Sequence, residues 1–328
     1  MLGPVIRRIA IVFGILLFWS LVFIIGTITI AFRGPSVASR DLLVTTLMET
    51  SAAKFIPTLY FSEDEILSIL AQNTVTDSEN ITDGSLIETP PLDSSEELQQ
   101  IEIIDVYGAT YKGKMMIVHD PSRLYVATPP FFDDEKGGLR VEEMVRRDGA
   151  VAGINAGGFE DINGVGNGGK PLGLVIQNGV VTHNKPHAAH ILIGFDADHK
   201  LVIGKMNAEE AVQRNIRDAV TFFPSLIVNG EPMAVSGTGG GLNPRTAIGQ
   251  RADGAVLLLV IDGRQPHSIG ANYQDLINVM MQFEAINAAN LDGGSSTLMI
   301  YEDTVINVCA SLYGSRKLPT AILVRQVS

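Results

Sequence analysis

The chain has 328 residues, a formal net charge of −12 and one cysteine. This length is ample for one large domain with its own hydrophobic core. The acidity argues against a basic surface for nucleic acid, so we predict no nucleic-acid partner. A single cysteine excludes an intrachain disulfide. Because no basic neighbour is evident in the sequence, we interpret Cys309 as a small buried residue rather than a catalytic thiol.

The first segment of the chain is apolar. Residues 9–32 are 24 residues without a charge. At about 1.5 Å per residue, a helix of this length crosses the roughly 30 Å hydrocarbon core of a bilayer. The run is longer than the core of a cleaved signal peptide. We therefore predict that residues 1–40 form a cytoplasmic tip and an uncleaved transmembrane signal-anchor, which leaves the rest of the chain outside the cytoplasm at the cell membrane.

Two amphipathic helices are predicted next, at residues 41–54 and 62–72. Ser62 and Glu65 have the spacing of a capping box at the start of the second helix. We assign residues 41–73 to a helical stalk or membrane-proximal collar. Residues 74–100 are acidic and poor in large apolar side chains, which is typical of a flexible linker.

From Ile101 onward, short β-rich runs alternate with glycine turns and a few amphipathic helices. The pattern predicts a mixed α/β or α+β fold, in which a single domain at residues 101–328 has a mixed, partly antiparallel sheet flanked by helices. Helices are predicted at 138–147, 208–215 and 272–287. Strands are predicted at 101–107, 114–119, 123–128, 150–154, 172–177, 180–183, 190–195, 201–205, 219–223, 226–228, 245–250, 255–261, 288–291, 298–301, 304–308 and 321–325.

Four charged residues are expected to converge at one edge of the sheet. A two-residue hairpin at Asp253-Gly254 would place Arg245 opposite Asp262. The strand before Asp262 and the strand before Asp292 are joined by a helix, and such a crossover makes them parallel, with both carboxyl ends at one edge. Arg264 follows the first of them. Paired carboxylates serve glycoside cleavage, and arginine binds phosphate or carboxylate. The alternative is that Arg245 and Asp262 form an ion pair that only pins the hairpin.

Two turns that contain glycine each have two interpretations, and one glycine-rich stretch does not have the motif of a nucleotide site. Asn155 stands in a strand-end turn, where it either orients a substrate hydroxyl or caps the turn. Residues 237–241 form either a mobile flap over the site or an ordinary flexible connection. The glycine-rich residues 163–169 lack the motif of a phosphate-binding loop, so we predict no nucleotide there.

The sequence gives only weak indications of a metal site or of a nucleophilic serine. His183, His187 and His190 have a spacing that suits zinc only on a helix, and Pro186 argues against a helix. We predict no metal and no cofactor. Ser295 lacks the G-x-S-x-G elbow of hydrolases, so it is expected to be a hydrogen-bonding neighbour rather than a nucleophile.

Four motifs resemble those of the phosphodiester glycosidase family, in the same order and within a resemblance that covers about residues 101–327. They are Asn155-Ala-Gly-Gly-Phe, Asn243-Pro-Arg-Thr-Ala-Ile-Gly-Gln, Ile261-Asp-Gly-Arg-Gln and Asn290-Leu-Asp-Gly-Gly-Ser-Ser. The resemblance implies hydrolysis of a sugar-1-phosphodiester between the anomeric carbon and the phosphate oxygen. The family motif often reads Asp-Gly-Gly-Gly-Ser, whereas here Ser295 follows Gly294 directly.

Carried onto this chain, the resemblance implies two catalytic carboxylates and a group of substrate-binding residues. The catalytic residues would be Asp262 and Asp292, and the substrate or phosphate would be bound by Asn155, Arg245, Arg264 and Ser295. Bacterial members of the family are mostly anchored or exported and related to exopolysaccharide, so an envelope glycoconjugate is the expected substrate. Two other functions fit the same residues, namely a non-catalytic module that binds envelope polysaccharide and a sugar-phosphate transferase.

Overall fold

The computed structural model describes residues 3–50, 52–89, 100–161, 166–185, 188–311 and 313–327. Within these residues it has seven α-helices and seventeen β-strands. The helices are α1 Pro4–Arg33, α2 Val37–Met48, α3 Phe55–Thr58, α4 Glu63–Gln72, α5 Val141–Asp148, α6 Ala208–Gln213 and α7 Tyr273–Gln282. The strands are β1 Ile101–Tyr107, β2 Lys112–Val118, β3 Leu124–Ala127, β4 Ala150–Asn155, β5 Val175–Gln177, β6 Val180–His183, β7 His190–Asp196, β8 Leu201–Met206, β9 Ile216–Thr221, β10 Ser225–Val228, β11 Glu231–Pro232, β12 Arg245–Arg251, β13 Val256–Ile261, β14 Ala285–Leu291, β15 Met299–Tyr301, β16 Thr304–Val305 and β17 Ala321–Arg325.

The strands form three sheets around a shared core. Their orders are β1-β2-β13-β12-β14-β10-β11, β16-β15-β4-β17-β3 and β6-β5-β9-β7-β8. Neighbouring strands are antiparallel in every pairing between described strands. The largest buried cluster takes side chains from all three sheets, including Met116, Ile154, Ile193, Ile248 and Leu258. The predicted fold class is confirmed, with the strands divided among three sheets.

The central hairpin and crossover position the site. β13 is an unbroken apolar run and is buried along its whole length, with the core on one face and α7 on the other. β12 lies between β13 and β14 and is antiparallel to both, so the carboxyl ends of β13 and β14 lie at one edge, as predicted.

The register of the hairpin differs from the prediction by one residue. Arg245 pairs with Ile261 rather than with Asp262. Gly254 adopts a left-handed conformation, with φ of 88°, and its N–H donates to the carbonyl of Arg251. The loop therefore has three residues with glycine at the left-handed position, which is a common alternative to the two-residue turn.

α1 and the three helices that follow it form a connected unit. The segment Ile6–Arg33 has a mean hydropathy of 2.8 and is long and apolar enough to cross a membrane. It fits a membrane anchor or a signal sequence. At its end, the buried Phe32 ring packs against Tyr60 and Phe61. We call residues 37–72, apart from residue 51, the collar.

The predicted capping box of the collar is confirmed, because Ser62 and Glu65 bond each other's backbone N–H groups.

Residues 74–89, part of the predicted flexible linker, lie along the domain instead of standing free. Val75 forms a β-bridge with Val235, and the N–H of Thr82 donates to the carbonyl of Ile203. Ile87 is buried. A few well-spaced apolar residues suffice here because exposed strand edges supply backbone partners. Residues 90–99 of the predicted linker lie outside the described residues.

Candidate active site

A cavity of about 320 Å³ lies at the sheet edge where β13 and β14 end and β12 begins. Four of the six predicted site residues line this cavity: Arg245, Arg264, Asp292 and Ser295. Asn155 and Asp262 lie outside its lining. The predicted convergence of charged groups at this edge is therefore found for Arg245, Arg264 and Asp292.

Asp292 carries one of the unpartnered polar atoms of the cavity lining. Both backbone groups of Asp292 are hydrogen-bonded. The Asp292 N–H donates to the carbonyl of Ala156 at 2.9 Å, and the Asp292 carbonyl accepts from the Asn155 amide at 2.5 Å. The Oδ2 atom is buried and has no hydrogen-bond partner. Burial raises the pKa of Asp292 from 3.8 to about 6, against the opposing hydrogen bond of Ser296 and the charge of Arg316. An unpaired carboxylate oxygen of this kind is costly unless a ligand uses it.

Asn155 supports this turn from behind. Its Oδ1 accepts hydrogen bonds from Thr246 Oγ1 at 2.9 Å and from the N–H of Leu298 at 3.0 Å. Its amide nitrogen donates to the Asp292 carbonyl. The side chain is fully buried, so both of its polar atoms face protein rather than the cavity.

Asp262 does not line the cavity. Its Oδ1 accepts from the N–H of Val308 at 2.9 Å and from the Asn307 amide at 3.2 Å. Burial raises its pKa, while these two hydrogen bonds act in the opposite direction. The alternative ion pair between Arg245 and Asp262 is absent, because Arg245 pairs with Glu49. The one-residue change in hairpin register removes Asp262 from the position facing Arg245.

Arg245 is buried and its guanidinium is surrounded by acceptors. Nε donates to the Ala271 carbonyl at 3.2 Å, Nη1 to Tyr273 Oη at 3.2 Å, and Nη2 to the Gly240 carbonyl at 2.9 Å. The guanidinium also lies over the Tyr273 ring, 4.3 Å from its centre. The remaining side of the fork is taken by Glu49, whose Oε2 is 2.9 Å from Nη1.

Arg264 is less completely paired than Arg245. Its Nη2 donates to the Glu49 carbonyl at 3.0 Å and to Asn243 Oδ1 at 3.1 Å, while its Nε is buried without a partner. Burial and the neighbouring charge of Arg245 lower its pKa, partly offset by Glu49. A Cβ atom at Gly294 would lie 3.3 Å from the Arg264 guanidinium. Glycine at this position, with φ of 63°, therefore leaves room for the cation beside the Asp292 turn.

Glu49 is a cavity residue that sequence reasoning missed. It follows α2 in the collar, and burial raises its pKa even though Arg245 and Arg264 act against this. The glycine loop 237–241, predicted as a flap or a connection, lies directly under the collar. There the hydroxyls of Thr45 in the collar and Thr238 in the loop are hydrogen-bonded at 3.2 Å, and the N–H of Gly240 donates to the carbonyl of Asn73, just after the collar, at 2.8 Å. No local pattern in the segment predicted as a stalk could have revealed Glu49 as a neighbour of Arg245.

Asp161 and Arg316 form an ion pair in the cavity that the sequence analysis also did not predict. Two hydrogen bonds of 2.7 and 3.0 Å join the guanidinium and the carboxylate, and Arg316 lies 4.8 Å from the centre of the Phe159 ring. Burial alone would raise the pKa of Asp161, but Arg316 and the N–H of Gly166 hold it below its usual value. Asp161 lies six residues after Asn155, so a wider search around that turn could have found it. Arg316 stands in an irregular loop without any such signal.

Ser295 lines the cavity, and its Oγ is 3.5 Å from Arg316 Nη1. Cys309 is half-buried, and burial raises the pKa of its thiol. His183 and His190 lie on β6 and β7, while His187 and residues 163–165 lie outside the described residues. In the part of the chain that is described, no group of three or more His, Cys, Asp or Glu side chains could hold a metal ion.

Comparison with known proteins agrees with these motifs. A family model for phosphodiester glycosidases matches residues 148–325. The chain belongs to the phosphodiester glycosidase family. This confirms the resemblance found in the sequence.

Two curated relatives match about half of this chain. The SPbeta prophage-derived uncharacterized protein YomE of Bacillus subtilis is 31% identical over 177 residues, which are 51% of this chain and 27% of that protein. N-acetylglucosamine-1-phosphodiester alpha-N-acetylglucosaminidase of Bos taurus is 26% identical over 183 residues, which are 50% of this chain and 34% of that protein. The chain thus spans about a third or less of the length of the curated relatives it matches.

The fold is also that of a solved phosphodiester glycosidase. The catalytic domain of zebrafish N-acetylglucosamine-1-phosphodiester alpha-N-acetylglucosaminidase, described as auto-inhibited by its pro-peptide, superposes with a TM-score of 0.58. Its sequence is 21% identical, and the match covers 69% of this chain and 82% of that one.

Proposed function

We propose that the protein hydrolyses a sugar-1-phosphodiester by breaking the bond between the anomeric carbon and the phosphate oxygen. Water adds to the anomeric carbon, the sugar leaves with a free hydroxyl, and the phosphate leaves as a monoester. The observation that carries this proposal is the unpartnered, buried Asp292 Oδ2, which shares a cavity with the guanidinium of Arg264. Family membership supports the reaction class.

Two carboxylates of the cavity have environments that move their pKa values apart. The pKa of Asp292 is raised to about 6, whereas Arg316 keeps that of Asp161 low. Such a separation is the usual sign of distinct roles for two acids. In our proposal, the ionised Asp292 acts at the anomeric carbon, either by taking a proton from water or by direct attack. Asp161 stays ionised and holds Arg316.

The phosphate is the natural ligand of Arg264. Its unused Nε donor can bond a phosphate oxygen, and its positive charge stabilises the charge that develops on the leaving group. Because a phosphate ester leaves readily, protonation of the leaving group matters less than in ordinary glycosidases. Ser295, beside Arg316, is assigned to hydrogen bonding with the substrate.

Asp262 and Asn155 receive positioning roles in this proposal. Asp262 holds the backbone at Val308, and Asn155 holds the turn of Asp292. In this proposal Asp262 does not take the catalytic role implied by the motif, because it does not line the cavity and its Oδ1 accepts hydrogen bonds from protein groups. The second carboxylate of the site is then Asp161.

Glu49 occupies donors that a substrate phosphate would need. Its carboxylate pairs with Arg245, and its carbonyl accepts from Arg264. We infer that the collar holds the site closed and that substrate displaces Glu49. The description of the zebrafish domain as auto-inhibited by its pro-peptide is in line with this arrangement.

We also propose that α1, which is long and apolar enough to cross a membrane, anchors the protein. In this proposal the domain lies outside the cytoplasm and acts on an extracytoplasmic glycoconjugate or envelope polysaccharide.

The proposal is tested with the full chain in detergent, incubated with 1-phosphodiesters of several sugars, with and without chelator. Release of free sugar and phosphate monoester is expected, and the anomeric configuration of the sugar reports the route. Inversion indicates that Asp292 activates water, and retention indicates attack by Asp292.

Product that forms only when an acceptor alcohol is added would favour a transferase. Binding of envelope polysaccharide without turnover of any ester would favour a non-catalytic module.

A further inference from the structure

The collar folds back along the last turns of α1. Tyr60, just after α3, places its Oη atom 3.0 Å from Thr29 Oγ1, about one turn before α1 ends. The Arg33 guanidinium donates to the Tyr60 carbonyl and lies over the Phe61 ring, 4.5 Å from its centre. Ile28 packs against the buried apolar cluster of the collar. The end of α3 is therefore fixed beside the final turn of the apolar helix.

This contact determines how deep the collar lies when α1 crosses a bilayer. Thr29 belongs to the uncharged run, which ends at Phe32, so Tyr60 lies beside residues that reach the lipid. Tyrosine is enriched at the boundary between lipid and water, where its ring contacts apolar groups and its hydroxyl contacts polar ones. Arg33 begins the polar side of this boundary. The end of α3 then lies at the bilayer surface rather than above it.

At this level, α3 exposes two large apolar side chains. Phe55 is 58% exposed and Leu59 is 72% exposed. Leu59 closes the helix with helical backbone angles, so the two positions have the i, i+4 spacing of one helix face. Pro57 is buried instead, and Ile56 packs against the apolar cluster of the collar. An exposed apolar face beside a membrane anchor is the face that an amphipathic helix buries in lipid.

The other end of α3 reaches the active cavity, which Glu49 of the same collar lines. Against the effect of burial, the charges of Arg316 and Lys54 lower the pKa of Asp161, so Lys54 lies near the cavity lining. The backbone of α3 and of both its caps is helical, and the rise from Lys54 to Tyr60 is about 9 Å. The headgroup layer of one leaflet is about 5–8 Å thick, so the cavity lies close to the bilayer surface.

We infer that Phe55 and Leu59 lie among the lipids of the bilayer surface, and that the substrate is a membrane lipid with a sugar-1-phosphate head group. The inference rests on the proposed function and on α1 as the anchor. In such a lipid the phosphate joins C1 of the sugar to a lipid alcohol. A cavity held at the bilayer surface favours this substrate over a soluble one, because enzyme and lipid are confined to the same layer.

The reaction on this lipid is balanced by water alone. The bond between C1 and the phosphate oxygen breaks, and the phosphate leaves with the electron pair. Water supplies the new hydroxyl at C1 and releases one proton. The free sugar enters the solution, while the lipid phosphate monoester stays in the bilayer.

The membrane contact is tested by fluorescence in lipid nanodiscs. Trp19 is the only tryptophan of the sequence, so Trp19→Phe gives a background without tryptophan emission. In the full chain, Trp19→Phe/Leu59→Trp is expected to lose about half of its emission in brominated phosphatidylcholine, compared with the unbrominated lipid. Trp19→Phe/Met281→Trp is the matched control and is expected to keep its emission. Met281 is also exposed, and it lies on α7 just before β14 begins, at the sheet edge opposite the cavity.

Equal emission of the Leu59→Trp protein in the two lipids overturns the inference. A blue shift of its emission without quenching by bromine indicates a protein partner for this face and also overturns it.

The substrate class is tested with two esters of N-acetylglucosamine 1-phosphate, the hexadecanol ester in the same nanodiscs and the methanol ester in solution. At equal bulk concentrations, kcat/KM is expected to be about tenfold higher for the hexadecanol ester. Phe55→Ser and, separately, Leu59→Ser are expected to lower this value about fivefold and to leave the methanol ester unchanged. Met281→Ser, the control, changes neither value. Variants at positions 55 and 59 that keep the wild-type ratio overturn the inference.

These measurements separate the inference from the proposed function. Quenching of the Leu59→Trp protein, together with cleavage of neither ester by the wild type, keeps the membrane contact and refutes the hydrolysis and its lipid substrate. Cleavage of both esters with equal kcat/KM keeps the hydrolysis and refutes the lipid substrate.

Discussion

The two ends of the active cavity differ in how completely their charged groups are paired. At the β14 end, Asp292 keeps a buried carboxylate oxygen without any partner. At the β12 end, Arg245 is enclosed by the carbonyls of its own domain, by Tyr273 and by Glu49. An unpaired buried oxygen lowers stability and does nothing for the fold, so chemistry is its best explanation. A fully paired arginine contributes to the fold for as long as its partners stay in place.

The largest effect is expected where the pairing is poorest. Asp292→Asn removes the charge that acts at the anomeric carbon while keeping the shape of the side chain. We expect kcat to fall by about 10³-fold or more on a sugar-1-phosphodiester, as measured by release of free sugar. Asp303→Asn changes an exposed aspartate in the β15–β16 turn and serves as the matched control. Near-normal turnover by Asp292→Asn would remove Asp292 from the centre of the mechanism.

The second-largest loss of activity is expected for Arg264, because this residue lies beside the Asp292 turn and has an Nε donor without a partner. Arg264→Ala is expected to lower kcat/KM by about 10²-fold, because removing one preorganised donor to a developing charge slows catalysis by about this factor. Steady-state kinetics with a sugar-1-phosphodiester measures the loss. Arg146→Ala, at an exposed position on α5, is the control. A variant at position 264 that keeps its kcat/KM would show that the phosphate binds elsewhere in the cavity.

A substitution of Glu49 tests whether this side chain blocks Arg245 at the β12 end of the cavity. Glu49→Gln loses the negative charge that competes with phosphate for Arg245. The KM of the phosphodiester is expected to fall by about fivefold, a modest coupling between two occupants of one site. Glu63→Gln, at an exposed position in the same collar, should leave KM unchanged. If Glu49→Gln instead lowers kcat, then Glu49 belongs to the working site, and the contrast between the two ends disappears.

The smallest effect concerns stability and its dependence on pH. Because the folded-state pKa of Asp292 is raised to about 6, the folded protein binds its proton more tightly than the unfolded chain does. The resulting cost is absent below about pH 4, grows between pH 4 and 6, and is complete above pH 6. Asp292→Asn should therefore be more stable than the wild type by about 1–3 kcal/mol at pH 8 and by little at pH 4.5.

Thermal unfolding of both proteins at the two pH values measures this difference. An equal gain at both pH values would mean that the carboxylate is not desolvated in the folded protein.

Local sequence indicated most of the helices and strands and the place of Asp292. β1, β6 and β17 match their predicted bounds to the residue, because alternating and apolar runs bounded by turn residues are local signals. The crossover from β13 to β14 followed from the apolar stripe of α7, and it placed Asp292 at the strand-end edge. Even so, the left-handed Gly254 changed the hairpin register by one residue, a choice between two turns that the sequence permits equally.

Only the tertiary structure decided which charged groups meet at that edge. Glu49 and Arg245 are 196 residues apart, and Asp161 and Arg316 are 155 apart, so no periodic pattern connects the members of either pair. The same holds for Asp262, which has the motif of a site residue but bonds the backbone of Val308. A strand-end carboxylate is visible in the sequence because its neighbours in the chain create it. Its charged partners were decided by packing, since each is brought there by a different segment.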